Sequence, residues 1–345
     1  MLAELKDGHV NLYSSSNMGR YWDWYLDYPR NFNEGIIERQ YLGKNYRIAG
    51  GLKYKILEDN IGYIYYESFS NGVGNGNLDE VLSYLAPCSG LIFDVRNNGG
   101  GNLTYSERIA SRFTNEKVLT GYIQHKTGKG HSDFSDPEPI YLEPSNSIRW
   151  QKKVMLLTNR HSYSATNDFV NAMRYFPNVT LVGDKTGGGS GLPFSSELPN
   201  GWGVRFSASP HLDAKKQHIE FGIDPDEEVD MAKEDEDKGI DTIIERAAVH
   251  WFNPLAWLFL KKFTEDIEFA CDEKVLRGKS VDEQKRYASA LLNCAESRSL
   301  FASAFGGAQV RVRIERILSY KKMSVLASLG LCALAAALTV LLLTN

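Results

Sequence analysis

The chain predicts an α/β fold: a mixed, largely parallel sheet with flanking helices, followed by an α-helical segment and one transmembrane helix. Three observations predict it. From Ile56 to about Ile244, short apolar runs alternate with amphipathic ones. Near Ala247 that alternation stops, and Met323–Leu343 then supplies 21 residues without a charge. Strands that alternate with helices favour parallel pairing, because each crossover helix brings the chain back to start the next strand in the same direction.

In chain order, Ile61–Ser68 (IGYIYYES), Leu91–Val95 (LIFDV), Val154–Thr158 (VMLLT) and Val179–Val182 read as strands. They are short, β-branched or aromatic, and apolar on both faces, as parallel strands covered by helices must be. Helical spacing falls at Leu78–Leu85, Tyr105–Phe113 and Ala165–Tyr175. The acidic run Asp224–Asp237 reads as a solvated face. The boundary is expected between Arg246 and Trp251, and the charged stretch Thr264–Leu292 beyond it reads as helical. As a helix, Met323–Leu343 would be about 31 Å long, enough to span a bilayer. Arg311, Arg313, Arg316, Lys321 and Lys322 precede it and predict a cytoplasmic flank.

Composition narrows the function classes. With 345 residues, 43% hydrophobic, and a net charge of −4, the chain can bury a large core and carries no electrostatic footprint for nucleic acid. Cys88, Cys271, Cys294 and Cys332 show no CxxC spacing, so neither a zinc knuckle nor a disulfide framework is expected. The amino terminus, MLAELKDGHV, does not read as a signal peptide.

The segment His161–Asp168 (HSYSATND) lies between a buried strand and a helix. There, helix amides and the macrodipole favour a developing negative charge, which makes Ser164 a candidate nucleophile. The same residue types are ordinary helix N-caps, and the local sequence fits both roles. After the strand ending at Val95, the run NNGGG can turn sharply and present backbone amides to an anion; TGGGSG at Thr186–Gly191 has the same character. Phosphate binding is the alternative for both runs, although neither ends in the Lys-Ser/Thr of a phosphate loop.

Four segments in order, LKDGH (Leu5–His9), DVRNNGGG (Asp94–Gly101), SYSATN (Ser162–Asn167) and EFGIDPD (Glu220–Asp226), resemble the tail-specific or carboxy-terminal processing serine peptidases, especially their tricorn-like branch. The resemblance covers residues 1–246 and implies peptide or protein substrates and no cofactor. It implies Ser164 as nucleophile and the Ala165 amide as one oxyanion donor. A second donor would come from Gly100, with Gly99 its neighbour. The lysine that serves as base in the processing branch would fall at Gly189, and Lys185 is four positions short of it. The tricorn-like branch uses an early histidine instead, which His9 matches, and an acidic residue, which Glu220 matches as an orienting or proton-polarising carboxylate.

Two positions depart from the family pattern. Gly8 stands where those enzymes have serine, and Asn167 where a glutamate is common. The interval between His9 and Tyr54 is too short for the PDZ domain many relatives insert, so Tyr21, Trp22, Trp24, Tyr25 and Tyr28 are candidates either for a substrate groove or for core packing.

Residues 249–345, which include the helical segment 247–322 from His250 onward, resemble the membrane metallopeptidases of the beta-lactam-sensor antirepressor type, on HWFNPLAW, on IEFACDEKVL (Ile267–Leu276) and on RVRIERIL. That resemblance implies Glu268 as a zinc ligand supported by Asp272, four residues on. No HExxH occurs in the chain, so a remnant without zinc catalysis is expected, with both carboxylates on an exposed helix face. The chain would then be held at the membrane by the helix 323–343, and a recombined join near residue 248 is expected. Besides a peptidase, the sequence admits a catalytically silent peptide-binding domain or a membrane-anchored sensor remnant.

Overall fold

The computed structural model describes residues 2–21, 26, 28–249, 272, 274–296 and 317. The chain divides into two units, Met1–Phe252 and Asn253–Asn345. The first unit is built on strands β3 (Arg47–Ala49), β4 (Leu52–Ile56), β5 (Ile61–Tyr66), β6 (Gly90–Asp94), β9 (Val154–Thr158), β10 (Val179–Gly183) and β14 (Glu227–Glu228). They form one sheet in the order β14-β10-β9-β6-β5-β4-β3. Pairing is parallel from β5 to β14 and antiparallel across β3, β4 and β5, so the sheet is mixed and largely parallel.

Every residue of β5, β6 and β9 is buried, because helices cover both faces. Alternate residues serve two separate cores. Leu91, Phe93, Val154 and Leu156 pack with Leu78, Ile109, Phe169 and Val170 on one side. Ile92, Met155 and Leu157 pack with Ile37, Leu42, Ile243 and Ile244 on the other. The first face carries helices Asn75–Leu85, Leu103–Ala110 and Ala165–Met173; the second carries Glu34–Ile36, its π-helical continuation Ile37–Leu42, and Thr242–Val249.

Helix boundaries differ from the periodic signal where caps intervene. The helix expected from Leu78 starts at Asn75, the Asn77 side chain accepting the Gly74 N–H at 2.9 Å. The one expected over Tyr105–Phe113 is Leu103–Ala110, opened by Asn102, whose side chain accepts from the Thr104 amide.

Two antiparallel sheets go beyond the expectation. One joins β1 (Asn11–Tyr13) and β2 (Met18–Arg20) to β11 (Pro193–Glu197) and β12 (Gly203–Ser207), in the order β11-β12-β1-β2. The other joins β7 (Val118–Ile123), β8 (Glu138–Leu142) and β13 (His211–Asp213). The acidic segment 224–237 is also more than a solvated face. Glu227–Glu228 adds a parallel edge strand to β10, and Asp226 accepts the Leu181 amide on its carboxylate while donating its own amide back to the Leu181 carbonyl.

In the second unit, Ser280 and Glu283 form a reciprocal capping box at the start of helix Val281–Glu296. Leu276, Ala288 and Ile317 pack together. Asp272 is buried and accepts a 2.8 Å hydrogen bond from Tyr287 Oη, so it does not lie on the exposed charged face expected for it. Glu268 and the apolar run 323–343 lie outside the described residues. Among the described residues, no helix is long and apolar enough to cross a membrane.

Candidate active site

Strand β9 ends at Thr158, and a short turn delivers Ser164 to the first turn of helix Ala165–Met173. An ordinary N-cap has extended backbone angles and accepts an amide hydrogen on its side chain. Ser164 does neither: its φ is 59° and ψ −125°, and its side chain makes no capping bond. A non-glycine residue at such angles costs about 1–3 kcal/mol, strain that clusters at functional sites. The backbone amide of Ser164 is held by the Gly188 carbonyl at 2.8 Å, leaving its hydroxyl free to face the amino terminus.

What it faces is His9, 155 residues earlier, with Nε2 3.2 Å from Ser164 Oγ. Strand β1 places that histidine by pairing with β12 in the register Asn11↔Arg205. Two further bonds fix the local chain: Asp7 Oδ1 accepts the His9 amide at 2.7 Å, and Asn11 Nδ2 donates to the His9 carbonyl at 2.7 Å. The Tyr163 ring packs on the imidazole with centroids 4.9 Å apart. His9 is only 3% exposed. Burial pulls its pKa from 6.5 to about 4, with Asp7 opposing the shift, so the imidazole is neutral at pH 7 and able to accept a proton.

Glu220 converges on the same place. A ligand-capable atom from each of Asp7, His9 and Glu220 lies within 4.8 Å of the other two. Burial, then the charges of Asp7 and Asp168, push the Glu220 carboxyl up to about 8, while a bond from the Ser190 amide pulls it back. Glu220 makes no hydrogen bond to His9: Nδ1 is buried and unpartnered among the described residues, the gap expected where Gly8 supplies no hydroxyl.

The glycine turn after β6 packs against Ser164. Gly100 has φ 95°, and a Cβ there would come within 2.8 Å of Ser164 Cβ and 2.9 Å of the Ala165 nitrogen. Its own N–H donates to Asn98 Oδ1 at 3.0 Å. The Gly99 N–H makes no hydrogen bond among the described residues, and Gly99 is exposed. Ala165, the first helical residue, has an amide with no intrahelical acceptor. At Gly189, φ is 80° and a Cβ would collide with the Tyr163 ring, so that backbone has no room for a lysine base. Lys185 instead pairs with Asp224 at 3.1 Å.

Asn167 is a support. Fully buried, it donates to Ser190 Oγ and the Ile219 carbonyl and accepts from Thr186 Oγ1, tying the helix that follows Ser164 to the segment that carries Glu220. Asp168, one turn after Ser164, meets His211 Nδ1 at 2.7 Å. Asp168 stands four residues after Ser164, on the same helix face, a spacing legible in the sequence, whereas its partner His211 is 43 residues further on. Asp7, Glu220 and His211, with Phe134 and Pro210, border a cleft of about 580 Å³. Of the aromatic residues that were candidates for a substrate groove or for core packing, Tyr21 and Tyr28 do not border this cleft, Tyr28 lying under the Arg160 guanidinium, and Trp22, Trp24 and Tyr25 lie outside the described residues.

The chain is similar to known proteins in two places. Residues 60–229 match the model of peptidase family S41, and residues 243–317 match that of BlaR1 peptidase M56. A CtpA-like serine protease of Staphylococcus saprophyticus is 27% identical over 144 residues, or 41% of this chain and 27% of that protein. A carboxyl-terminal-processing protease of Synechocystis sp. PCC 6803 is 28% identical over 143 residues, or 41% of this chain and 31% of that protein. The chain thus spans less than a third of the length of these two curated relatives. A solved structure of a candidate peptidase from Parabacteroides merdae ATCC 43184 is 63% identical, with a TM-score of 0.71, over 73% of this chain and 80% of that one. With that structure matched over four-fifths of its length and the family model falling on the segment that bears the glycine turn, Ser164 and Glu220, the chain belongs to peptidase family S41.

Proposed function

We propose that the chain is a serine-type peptidase of tricorn-like mechanism that hydrolyses peptide bonds through an acyl-enzyme, with Ser164 as nucleophile and His9 as base. The 3.2 Å contact between His9 Nε2 and Ser164 Oγ carries this reading. As Ser164 Oγ attacks the scissile carbonyl, its proton passes to His9 Nε2, which then gives it to the leaving amine; water repeats the sequence on the ester. The Ala165 and Gly99 amides are the oxyanion donors. Gly100, its amide spent on Asn98, shapes the turn that brings them together. Glu220 polarises the site from the cleft side without bonding to His9. Peptide or protein substrates enter through that cleft, the run 323–343 anchors the chain to a membrane, and residues 247–322 contribute no zinc hydrolysis.

Labelling of the full chain with a fluorophosphonate, followed by peptide mapping, tests the reading. The adduct is expected on Ser164 in wild type and absent in Ser164→Ala. The Nδ1 of His9, without a hydrogen-bond partner among the described residues, favours a second reading, a silent peptide-binding domain. Retained peptide affinity in a folded protein that never labels would establish that one.

The pH profile follows from the buried imidazole. A protonated His9 cannot accept the serine proton, so activity is lost as pH falls through its folded pKa. The acid limb of kcat/KM on a peptide ester, in chelator-treated buffer, is expected near pH 4, well below the 6.5 of a free imidazole. Asp7→Asn removes a charge that raises His9 and should move the limb lower still. A limb at 6.5 would contradict the buried-base assignment.

A further inference from the structure

We propose that Asp7, His9 and Glu220 form a binding site for a divalent transition cation of the Zn2+ class, and that its occupancy switches the Ser164–His9 pair off. Three observations carry the site. One ligand atom from each residue lies within 4.8 Å of the other two. The His9 side chain, 3% exposed, has a buried Nδ1 with no hydrogen-bond partner among the described residues, while Nε2 is turned to Ser164. Asp7 and Glu220 both border the cleft, which gives a cation a way in and room for a water in the fourth position.

The donor set selects the ion. One imidazole nitrogen and two carboxylate oxygens suit Zn2+, Co2+ or Ni2+, whereas Mg2+ and Ca2+ prefer oxygen alone and Cu(I) prefers sulfur. Bonds of about 2.0–2.2 Å in a tetrahedron put neighbouring ligand atoms roughly 3.3 Å apart. The three atoms therefore close by at most roughly 1.5 Å, within reach of rotation of two carboxylates on a backbone held in place.

The consequence for catalysis is a matter of one proton. A neutral imidazole has one N–H, and a cation on the Nδ1 lone pair leaves that hydrogen on Nε2. His9 Nε2 then donates to Ser164 Oγ and cannot accept its proton. The inhibition rests on the peptidase reading above; the binding does not.

The experiment uses the full chain, stripped with EDTA and dialysed, and titrated with Co2+ while its visible ligand-field absorption is followed, with Zn2+ competing. Wild type and Ser164→Ala are expected to take up one equivalent with a tetrahedral spectrum. Asp7→Asn and Glu220→Gln, checked for fold by circular dichroism, should each bind more weakly by more than the roughly 10–100-fold that loss of an outer-shell partner costs. Co2+ uptake unchanged in both folded variants would place the metal elsewhere and overturn the proposal, as would no uptake by wild type. Phosphonate labelling of wild type should fall with Zn2+ and return with EDTA. Labelling that is indifferent to bound metal overturns the switch. Site-dependent Co2+ binding in a protein that never labels would uphold the site and sink the peptidase reading instead.

Discussion

Replacing Ser164 or His9 by alanine is expected to lower kcat by a factor on the order of 10⁶, and the double variant should be no slower than either single one. The non-additivity is the informative part. In the proposed mechanism, without Ser164 the His9 imidazole has no proton to take, and without His9 the Ser164 hydroxyl stays protonated. Residual hydrolysis of roughly 10³–10⁴ over water would come from the Ala165 and Gly99 amides and from substrate binding. Single-turnover hydrolysis of a peptide ester by the four proteins measures this. Multiplicative losses would mean that His9 and Ser164 do not act as one unit, despite their 3.2 Å contact.

Arg96→Met is expected to destabilise the first unit by about 3–5 kcal/mol, the cost of leaving buried charges unpaired. Arg96 is fully buried and forks onto Asp94, with Nε to Oδ1 at 2.9 Å and Nη2 to Oδ2 at 2.7 Å, while Nη1 reaches Asp241 Oδ1 at 3.0 Å. Tyr63 Oη donates to Asp94 Oδ2 as well, and Asp241 Oδ1 accepts the Ile243 and Ile244 amides, opening helix Thr242–Val249. Without the guanidinium, two carboxylates remain in a site no water reaches. The variant should also lose labelling at Ser164 before it unfolds globally, because Arg96 begins the turn that ends at Gly100. Urea unfolding followed by circular dichroism, with labelling at each concentration, reads both effects. A midpoint unchanged from wild type would show that the network is worth little.

Much of the sheet was legible because parallel strands buried on both faces are continuous apolar runs, as Val154–Thr158 shows residue for residue. Helix ends were less so: the starts at Asn75 and Leu103 depend on Asn77 and Asn102, whose side chains could have bonded elsewhere. The β1–β2–β11–β12 sheet is not legible in the sequence because three- to five-residue strands with exposed faces carry no usable periodicity, and its two halves are joined only by β1 and β12, where Asn11 meets Arg205. Asn167, read as a departure from the family pattern, proved to be a buried tie between three segments, a role visible only once Ser190 and Ile219 stand beside it.

By itself, then, the sequence determined the parallel core, the strand–turn–helix that carries Ser164, and the glycine run that can approach it, because burial pattern and turn chemistry are local. The tertiary structure alone decided whether Ser164 is a cap or faces the His9 imidazole, since φ 59° and the approach of His9 both arise from contacts made far along the chain. It also decided which glycine amide is spent on Asn98 and that Asp7 and Glu220 meet at His9. Hydrogen bonds and charges at short range depend on distance, and distance between residues 155 or more positions apart is a property of the folded chain.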